Sequence, residues 1–143
     1  MEMTITSAAI ATLLSATTSS FITLWIMRTN KTQAIEKQLD AILKIAIDHP
    51  YLESEAFTAT WTKDFDRNDD KYLRYDVYCT LLYNYLSRVA DHYNYNKKKI
   101  ENYLAIKDWV TLHGEYWIHP PSTYENIDSY DKRFVNLINS YLI

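Results

Sequence analysis

Hydrophobic and polar positions divide the chain into a long uncharged stretch and a patterned remainder. Residues 5–27 contain no charge, proline or glycine, and every charged residue except Glu2 follows them. As an α-helix this stretch would be about 34 Å long, enough to cross the ~30 Å hydrocarbon core of a bilayer. The pattern predicts a transmembrane anchor over residues 1–28 and a cytoplasmic helical domain over residues 29–143.

Helical spacing of apolar residues continues after the predicted anchor. Residues 32–48 form one such segment, either continuous with the anchor or separated from it by a break near Thr29. A long aromatic helix is predicted to begin at Asp69 or Asp70, whose carboxylate can cap it, and to end near Tyr93. Between these two segments the pattern favours a short helix and a polar loop.

The aromatic helix is expected to be the most buried one, because Leu73, Val77 and Leu81 widen its apolar face. One further helix is predicted over about residues 97–117, and a last helix is predicted from near Asp128. With one glycine and three prolines the chain has few turn formers, which argues against a β-sandwich or barrel. The fold class is therefore predicted to be all-α: one N-terminal transmembrane helix followed by a three- to four-helix antiparallel cytoplasmic bundle.

Flanking charge sets the predicted orientation of the anchor. Arg28 and Lys31 follow the uncharged stretch, whereas its amino-terminal flank has no side-chain cation. Because cytoplasmic flanks collect lysine and arginine, the amino terminus is predicted outside and the helical domain in the cytoplasm, with Trp25 at the membrane interface. A cleaved signal peptide, which needs a basic start, and a buried helix of a soluble protein are the alternatives.

One face of the predicted span carries small residues at every fourth position. This spacing lets two helix backbones approach closely inside a membrane, so the face predicts packing against another transmembrane helix, of a second copy or of a different protein. The alternative is that the hydroxyl groups bond back to their own helix. The residues of this face are Ser7, Ala11, Ser15, Ser19 and Thr23.

The polar stretch from Asp64 to Asn68 imitates the start of a calcium-binding loop. Such a loop needs glycine at its sixth position and glutamate at its twelfth, where this chain has Asp69 and Tyr75. A solvated loop that caps the next helix is the simpler interpretation. The sequence predicts no metal ligands and no cofactor.

The remaining candidates for chemistry have ordinary structural interpretations. None of the four histidines shows metal-ligand spacing, and His113 lies on an apolar stripe that is typical of a core histidine. Cys79 is the only cysteine, so no internal disulfide can form, and we expect it to be buried and inert. A net charge of −3 argues against nucleic-acid binding. No catalytic residue is predicted, and the chain is expected not to be an enzyme.

The layout resembles a group of uncharacterised bacterial single-span membrane proteins with a small cytoplasmic helical domain. The resemblance implies an all-α fold and the bacterial inner membrane as location, and it brings no activity and no site residues. The residues that carry it are His49-Pro50, Trp61, the aromatic helix from Tyr72, and the segment from Trp109 to Trp117.

These observations lead to three hypotheses of function. The first is a non-enzymatic membrane-anchored adaptor or accessory subunit that contacts lipid, assembles through its span and binds a protein partner on the cytoplasmic side. The second is a membrane-perturbing effector of a bacterial defence system that oligomerises through its serine- and threonine-rich span. The third is a small-molecule sensor or enzyme with a tyrosine-lined pocket, for which Tyr78, Arg74 or His113 would have to converge on a cavity.

Overall fold

The computed structural model describes the backbone of residues 2–120 and 129–143, and the side chains of residues 18–120 and 129–143. Throughout these ranges the chain forms helices and loops without a strand, which confirms the predicted all-α class and a helical bundle. The chain divides into two compact units, Met1–Ala34 and Ile35–Ile143. The contact boundary thus follows the predicted end of the anchor by a few residues.

Helix α1 extends from Glu2 to Asp48 without interruption. The chain has no glycine or proline before Pro50, so nothing in the local sequence breaks the helix near Thr29. Its carboxyl-terminal part buries Ile35 and Ile42, seven residues apart and therefore on one face. In the part of the chain that the structure describes, no helix combines the length and apolarity needed to cross a membrane.

Three short helical turns connect α1 to the next long helix. A 3₁₀ turn covers Pro50–Glu53, α2 covers Glu55–Thr58 and α3 covers Trp61–Asp64. Each turn contributes one large apolar side chain to the core. These side chains are Leu52, Phe57 and Trp61.

Helix α4 covers Asp70–His92, close to the predicted bounds of the aromatic helix. Its cap is Asp69, whose carboxylate accepts a hydrogen bond from the Lys71 backbone N–H at 2.8 Å. The tyrosines at positions 75, 78, 83 and 85 are buried together with Leu82, Leu86 and Val89.

Three residues of α4 contradict the prediction that they widen its buried face. Val77 is 60% exposed, and Leu73 and Leu81 are also exposed. They recur every four residues and so form one stripe along the helix. The described residues bury the aromatic side of α4 and leave this aliphatic stripe open.

The predicted single helix over residues 97–117 is wrong, because the structure has three short helices there. They are α5 (Lys97–Tyr103), α6 (Ile106–Leu112) and α7 (Gly114–Ile118). The first break is at Leu104, whose backbone is extended with φ of −151° and ψ of 158°. Neither glycine nor proline marks this break, so packing of the apolar side chains decides it rather than local propensity.

The last helix, α8, covers Lys132–Asn139 and is capped by Asp131. The predicted start near Asp128 lies outside the described residues. After α8 the chain packs closely against the start of α7: a methyl group added at Gly114 would lie 2.8 Å from Cδ2 of Leu142. The only glycine of the chain therefore lies where the Leu142 side chain comes near.

Candidate functional site

A network of buried polar side chains surrounds His113, between α6 and α7. Its imidazole is fully buried, and the Tyr75 hydroxyl lies 2.9 Å from Nδ1. Nε2 lies 3.3 Å from Oε1 of Glu53 in the 3₁₀ turn, and the Tyr78 hydroxyl also donates to that oxygen. The Tyr83 hydroxyl donates to the His113 carbonyl at 3.0 Å. We call these five residues the His113 network.

The carboxylate of Glu53 fixes the direction of the hydrogen bonds in this network. Burial favours the neutral acid, but hydrogen bonds from His113, Tyr78 and Trp109 outweigh it and hold the pKa of Glu53 below its ordinary value. An ionised carboxylate only accepts hydrogen bonds, so Nε2 of His113 donates to it. In the tautomer that carries its hydrogen on Nε2, Nδ1 accepts from the Tyr75 hydroxyl.

The tyrosine hydroxyls of the network remain proton donors. Burial raises the pKa of Tyr75 and of Tyr78, and it raises the pKa of Tyr83 well above the ordinary value. Each hydroxyl therefore keeps its proton and faces one hydrogen-bond partner: Nδ1 of His113, Oε1 of Glu53 and the His113 carbonyl, respectively. The network joins the 3₁₀ turn, α4 and the junction of α6 and α7 through bonds that satisfy buried polar atoms.

An acid, an imidazole and a phenol in series can in principle transfer a proton. A substrate, however, must reach the reacting atoms, and both His113 and Tyr75 are 0% exposed. Only Glu53, with 27% of its side chain exposed, opens toward solvent. The arrangement therefore supports the prediction of a satisfied core histidine.

Beside this network lies an open groove between the end of α1 and α4, with a volume of about 250 Å³. We call it the α1–α4 groove. Its polar residues at the end of α1 are Asp48 and His49. Val77 and Leu81, from the exposed aliphatic stripe of α4, form much of its apolar wall. The lining residues are Ile45, Asp48, His49, Arg74, Val77, Tyr78 and Leu81.

Arg74 and His49 contact each other in the groove. The Arg74 guanidinium donates from Nη1 to Nε2 of His49, because a guanidinium has no acceptor. Tyr78 links the groove to the His113 network, since it lines the groove and its hydroxyl bonds to Glu53. Of the three residues named as a condition for the small-molecule hypothesis, Tyr78 and Arg74 line this groove, whereas His113 is not among its lining residues.

Sequence reasoning missed the other polar residues of this region. Glu53 and His49 lie in a segment without strong periodicity, and Asp48 is the last residue of the preceding helical segment, so the sequence does not show which way these side chains face. The Asn68 backbone and side-chain amides both donate to Oδ1 of Asp66, within the loop that imitates a calcium site. Among the described residues, no group of three histidine, cysteine or acidic side chains is placed to hold a metal ion.

The side chains of the predicted anchor, residues 1–28, are described only from Thr18 onward. The side chains of Ser7, Ala11 and Ser15 lie outside the described residues. The Thr23 hydroxyl donates to the Ser19 carbonyl at 2.9 Å, the back-bonding that was the alternative to an interhelical contact. The three predicted interface residues, Trp25, Arg28 and Lys31, are exposed.

Cys79 is buried in α4, as predicted. Its sulfur lies 3.9 Å from Nδ1 of His113, at the edge of the His113 network. No protein-family model, curated protein or solved structure matches this chain.

Proposed function

We propose that this protein is a non-enzymatic, membrane-anchored helical module that acts as an adaptor or accessory subunit. One observation carries the proposal: over residues 21–27, α1 has large apolar side chains around most of its circumference, with Thr23 as the one polar residue, and these apolar side chains are exposed. Between 46% and 73% of each large side chain is exposed. The residues of this exposed apolar segment are Phe21, Ile22, Leu24, Trp25, Ile26 and Met27.

A helix that is apolar all round is normally buried in protein or in lipid. Successive residues of an α-helix are about 100° apart, so a protein partner on one side would leave the other sides of this segment in water. Lipid covers all sides at once. Arg28 and Lys31 then lie on the cytoplasmic side of the membrane, with Trp25 at the interface.

Flotation of the full chain with membranes in a density gradient tests the anchor. We expect the chain to float, and the double substitution Ile22→Asp with Leu24→Asp to shift it to the soluble fraction, because aspartate in hydrocarbon costs about 2.5–3.5 kcal/mol. Ile47→Asp is the control, since Ile47 is also exposed but lies at the other end of α1. A wild-type chain that stays at the bottom of the gradient would contradict the proposal.

Assembly through the small-residue face is tested separately, by co-purifying two differently tagged copies in a mild detergent. Ser19→Leu should reduce the recovery of the second copy, whereas Phe21→Leu, off this face, should not. The Thr23 hydroxyl is bonded within its own helix, so self-assembly through this face would depend on close approach of the small side chains and not on hydroxyl groups bonded across the contact. Equal recovery of the second copy with both variants would remove self-assembly from the proposal.

A second candidate function, small-molecule sensing, is favoured by the α1–α4 groove. The groove is lined by Arg74 and Tyr78, and Tyr78 is bonded to the buried network behind it. A ligand there would contact α1 and α4 together. Sensing predicts that ligand changes the amount of partner recovered with the chain.

A further inference from the structure

We propose that the α1–α4 groove binds a small zwitterion with an apolar side chain, the chemical class of the apolar α-amino acids. This inference deepens the sensing candidate by naming its ligand class. It is independent of the membrane anchor, because all seven lining residues lie in the unit Ile35–Ile143.

Arg74 supplies the positive charge for a carboxylate. Its only hydrogen-bonded partner among the described residues is His49, which is an acceptor and brings no negative charge. The guanidinium has five N–H donors, so several of them remain for a bidentate bond to a ligand carboxylate. His49 holds the guanidinium at the groove rather than neutralising it.

Asp48 supplies the negative charge for an ammonium group. Its side chain is exposed on the groove wall and makes neither an ion pair nor a hydrogen bond with any described residue. A ligand with a carboxylate alone would place that charge near Asp48, and a ligand with an ammonium alone would place its charge near Arg74. A zwitterion compensates both charges, because its carboxylate can bind Arg74 and its ammonium group can bind Asp48.

The rest of the groove is apolar and small. Ile45, Val77 and Leu81 line it, and the last two belong to the exposed stripe of α4. Covering these side chains removes apolar surface from water, which favours a ligand with a branched or aromatic side chain. The volume of about 250 Å³ lies below the ~300–1,000 Å³ of pockets for drug-sized ligands, so it suits a ligand of amino-acid size.

The position of Tyr78 in the groove is fixed by hydrogen bonds of the His113 network. Tyr78 is 1% exposed, and its hydroxyl is bonded to the Glu53 carboxylate, which His113 also contacts. A side chain fixed in this way does not have to be ordered when a ligand binds, which lowers the entropic cost of binding. The His113 network thus gives the groove a rigid apolar face.

Calorimetric titration of the full chain, in one mild detergent throughout, tests the ligand class. We expect saturable binding of leucine and phenylalanine at millimolar concentrations. Three matched ligands each lack one feature: N-acetyl-leucine lacks the ammonium group, leucinamide lacks the carboxylate, and glycine lacks the side chain. Each should bind at least about tenfold more weakly, the effect of one lost charge-assisted contact or of the lost apolar contact.

Two pairs of variants tie the binding to the groove. Arg74→Gln should weaken leucine binding at least about tenfold, while Arg88→Gln, an exposed arginine of the same helix bonded to Gln38, should not. Asp48→Asn should have the same effect, with Asp40→Asn on α1 as its control. Circular dichroism of each variant shows whether it is folded.

Several results would overturn the inference. They are no saturable heat with leucine and phenylalanine, equal affinity for N-acetyl-leucine or leucinamide, and unchanged affinity in the folded Arg74 and Asp48 variants. Failure of the anchor proposal is seen separately, by flotation. If leucine binds and the recovery of partner is unchanged, the ligand class stands and sensing fails.

Discussion

At the scale of single residues, His113 is the centre of the buried polar network described above. It bonds to Tyr75 and Glu53 through its ring and to Tyr83 through its carbonyl. Its place on an apolar stripe made burial predictable from the sequence. Its partners were not predictable, because they come from three segments that only the tertiary fold brings together.

We expect His113→Ala to lower the free energy of unfolding by about 3 kcal/mol. The substitution leaves a cavity and deprives the Tyr75 hydroxyl and the Glu53 carboxylate of a partner. Urea unfolding followed by circular dichroism measures the change. His119→Ala is the control, since His119 is exposed, and it should change the free energy by no more than about 0.5 kcal/mol. Similar losses for both variants would contradict the network.

Glu53 makes stability depend on pH in a defined direction. Its folded-state pKa is held below the ordinary 4.5 by bonds from His113, Tyr78 and Trp109. The unfolded chain therefore binds the proton more readily, so the stabilisation is fully present above pH 4.5 and is lost as the pH falls through the lowered pKa.

Urea midpoints measured from pH 7 down to acid conditions should fall less steeply for Glu53→Gln than for the wild type. The glutamine variant has no carboxylate to protonate at this position, so the difference between the two curves isolates Glu53. Glu55→Gln, at an exposed carboxylate nearby, should follow the wild-type slope. Parallel curves for wild type and Glu53→Gln would show that the carboxylate has no lowered pKa.

At the scale of elements, local signals predicted helices well where they agreed with packing. α4 has a capping aspartate, a long aromatic pattern and a turn after it, and its bounds were predicted closely. The segment after it shows the opposite case. Ile100, Ile106, Val110 and Trp117 are all buried although the predicted single helix is divided into three.

The aliphatic stripe of α4 shows a second limit of sequence reasoning. Leu73, Val77 and Leu81 have the same hydrophobicity as core residues, and the pattern alone cannot distinguish a face that is covered by the fold from one that is left open. Two of the three line the α1–α4 groove. Two of the residues that contradicted the prediction thus form part of the apolar wall of the proposed site.

The turn between α4 and α5 depends on two residues with left-handed backbone. Asn94 has φ of 51° and Tyr95 has φ of 58°. Asparagine tolerates this conformation, whereas a β-branched residue does not. We expect Asn94→Val to lower the free energy of unfolding by about 1–2 kcal/mol, the cost of a left-handed residue, and Asn94→Gly to leave it unchanged or to raise it slightly. Thermal unfolding shows which of the two variants is more stable. A valine variant as stable as the glycine variant would contradict the prediction.

At the scale of the whole molecule, the buried core of the described residues begins at Ile35. Ile35 and Ile42 both belong to α1, so the carboxyl-terminal part of that helix is a component of the core. Among residues 18–34, the part of α1 before Ile35 whose side chains the structure describes, none is buried. Stability and membrane association should therefore be separable along the length of α1.

A truncated chain that begins at Ile35 should unfold cooperatively with nearly the stability of the full chain. A chain that begins at His49 loses Ile35 and Ile42 and should be strongly destabilised, by about 2–5 kcal/mol for each lost large side chain at most. Urea unfolding of the two truncations makes the comparison. Equal stability of both would show that α1 does not belong to the core.

Cys79, the single cysteine of the chain, is buried in α4, so its reactivity can report local opening of this helix. A thiol reagent can reach Cys79 only after α4 separates from the residues around it, and no second thiol in the chain competes for the label. The rate of labelling under native conditions therefore measures how often this helix opens. If the α1–α4 groove binds an apolar amino acid, the same rate should fall as the ligand is added, with no dye and no engineered residue required.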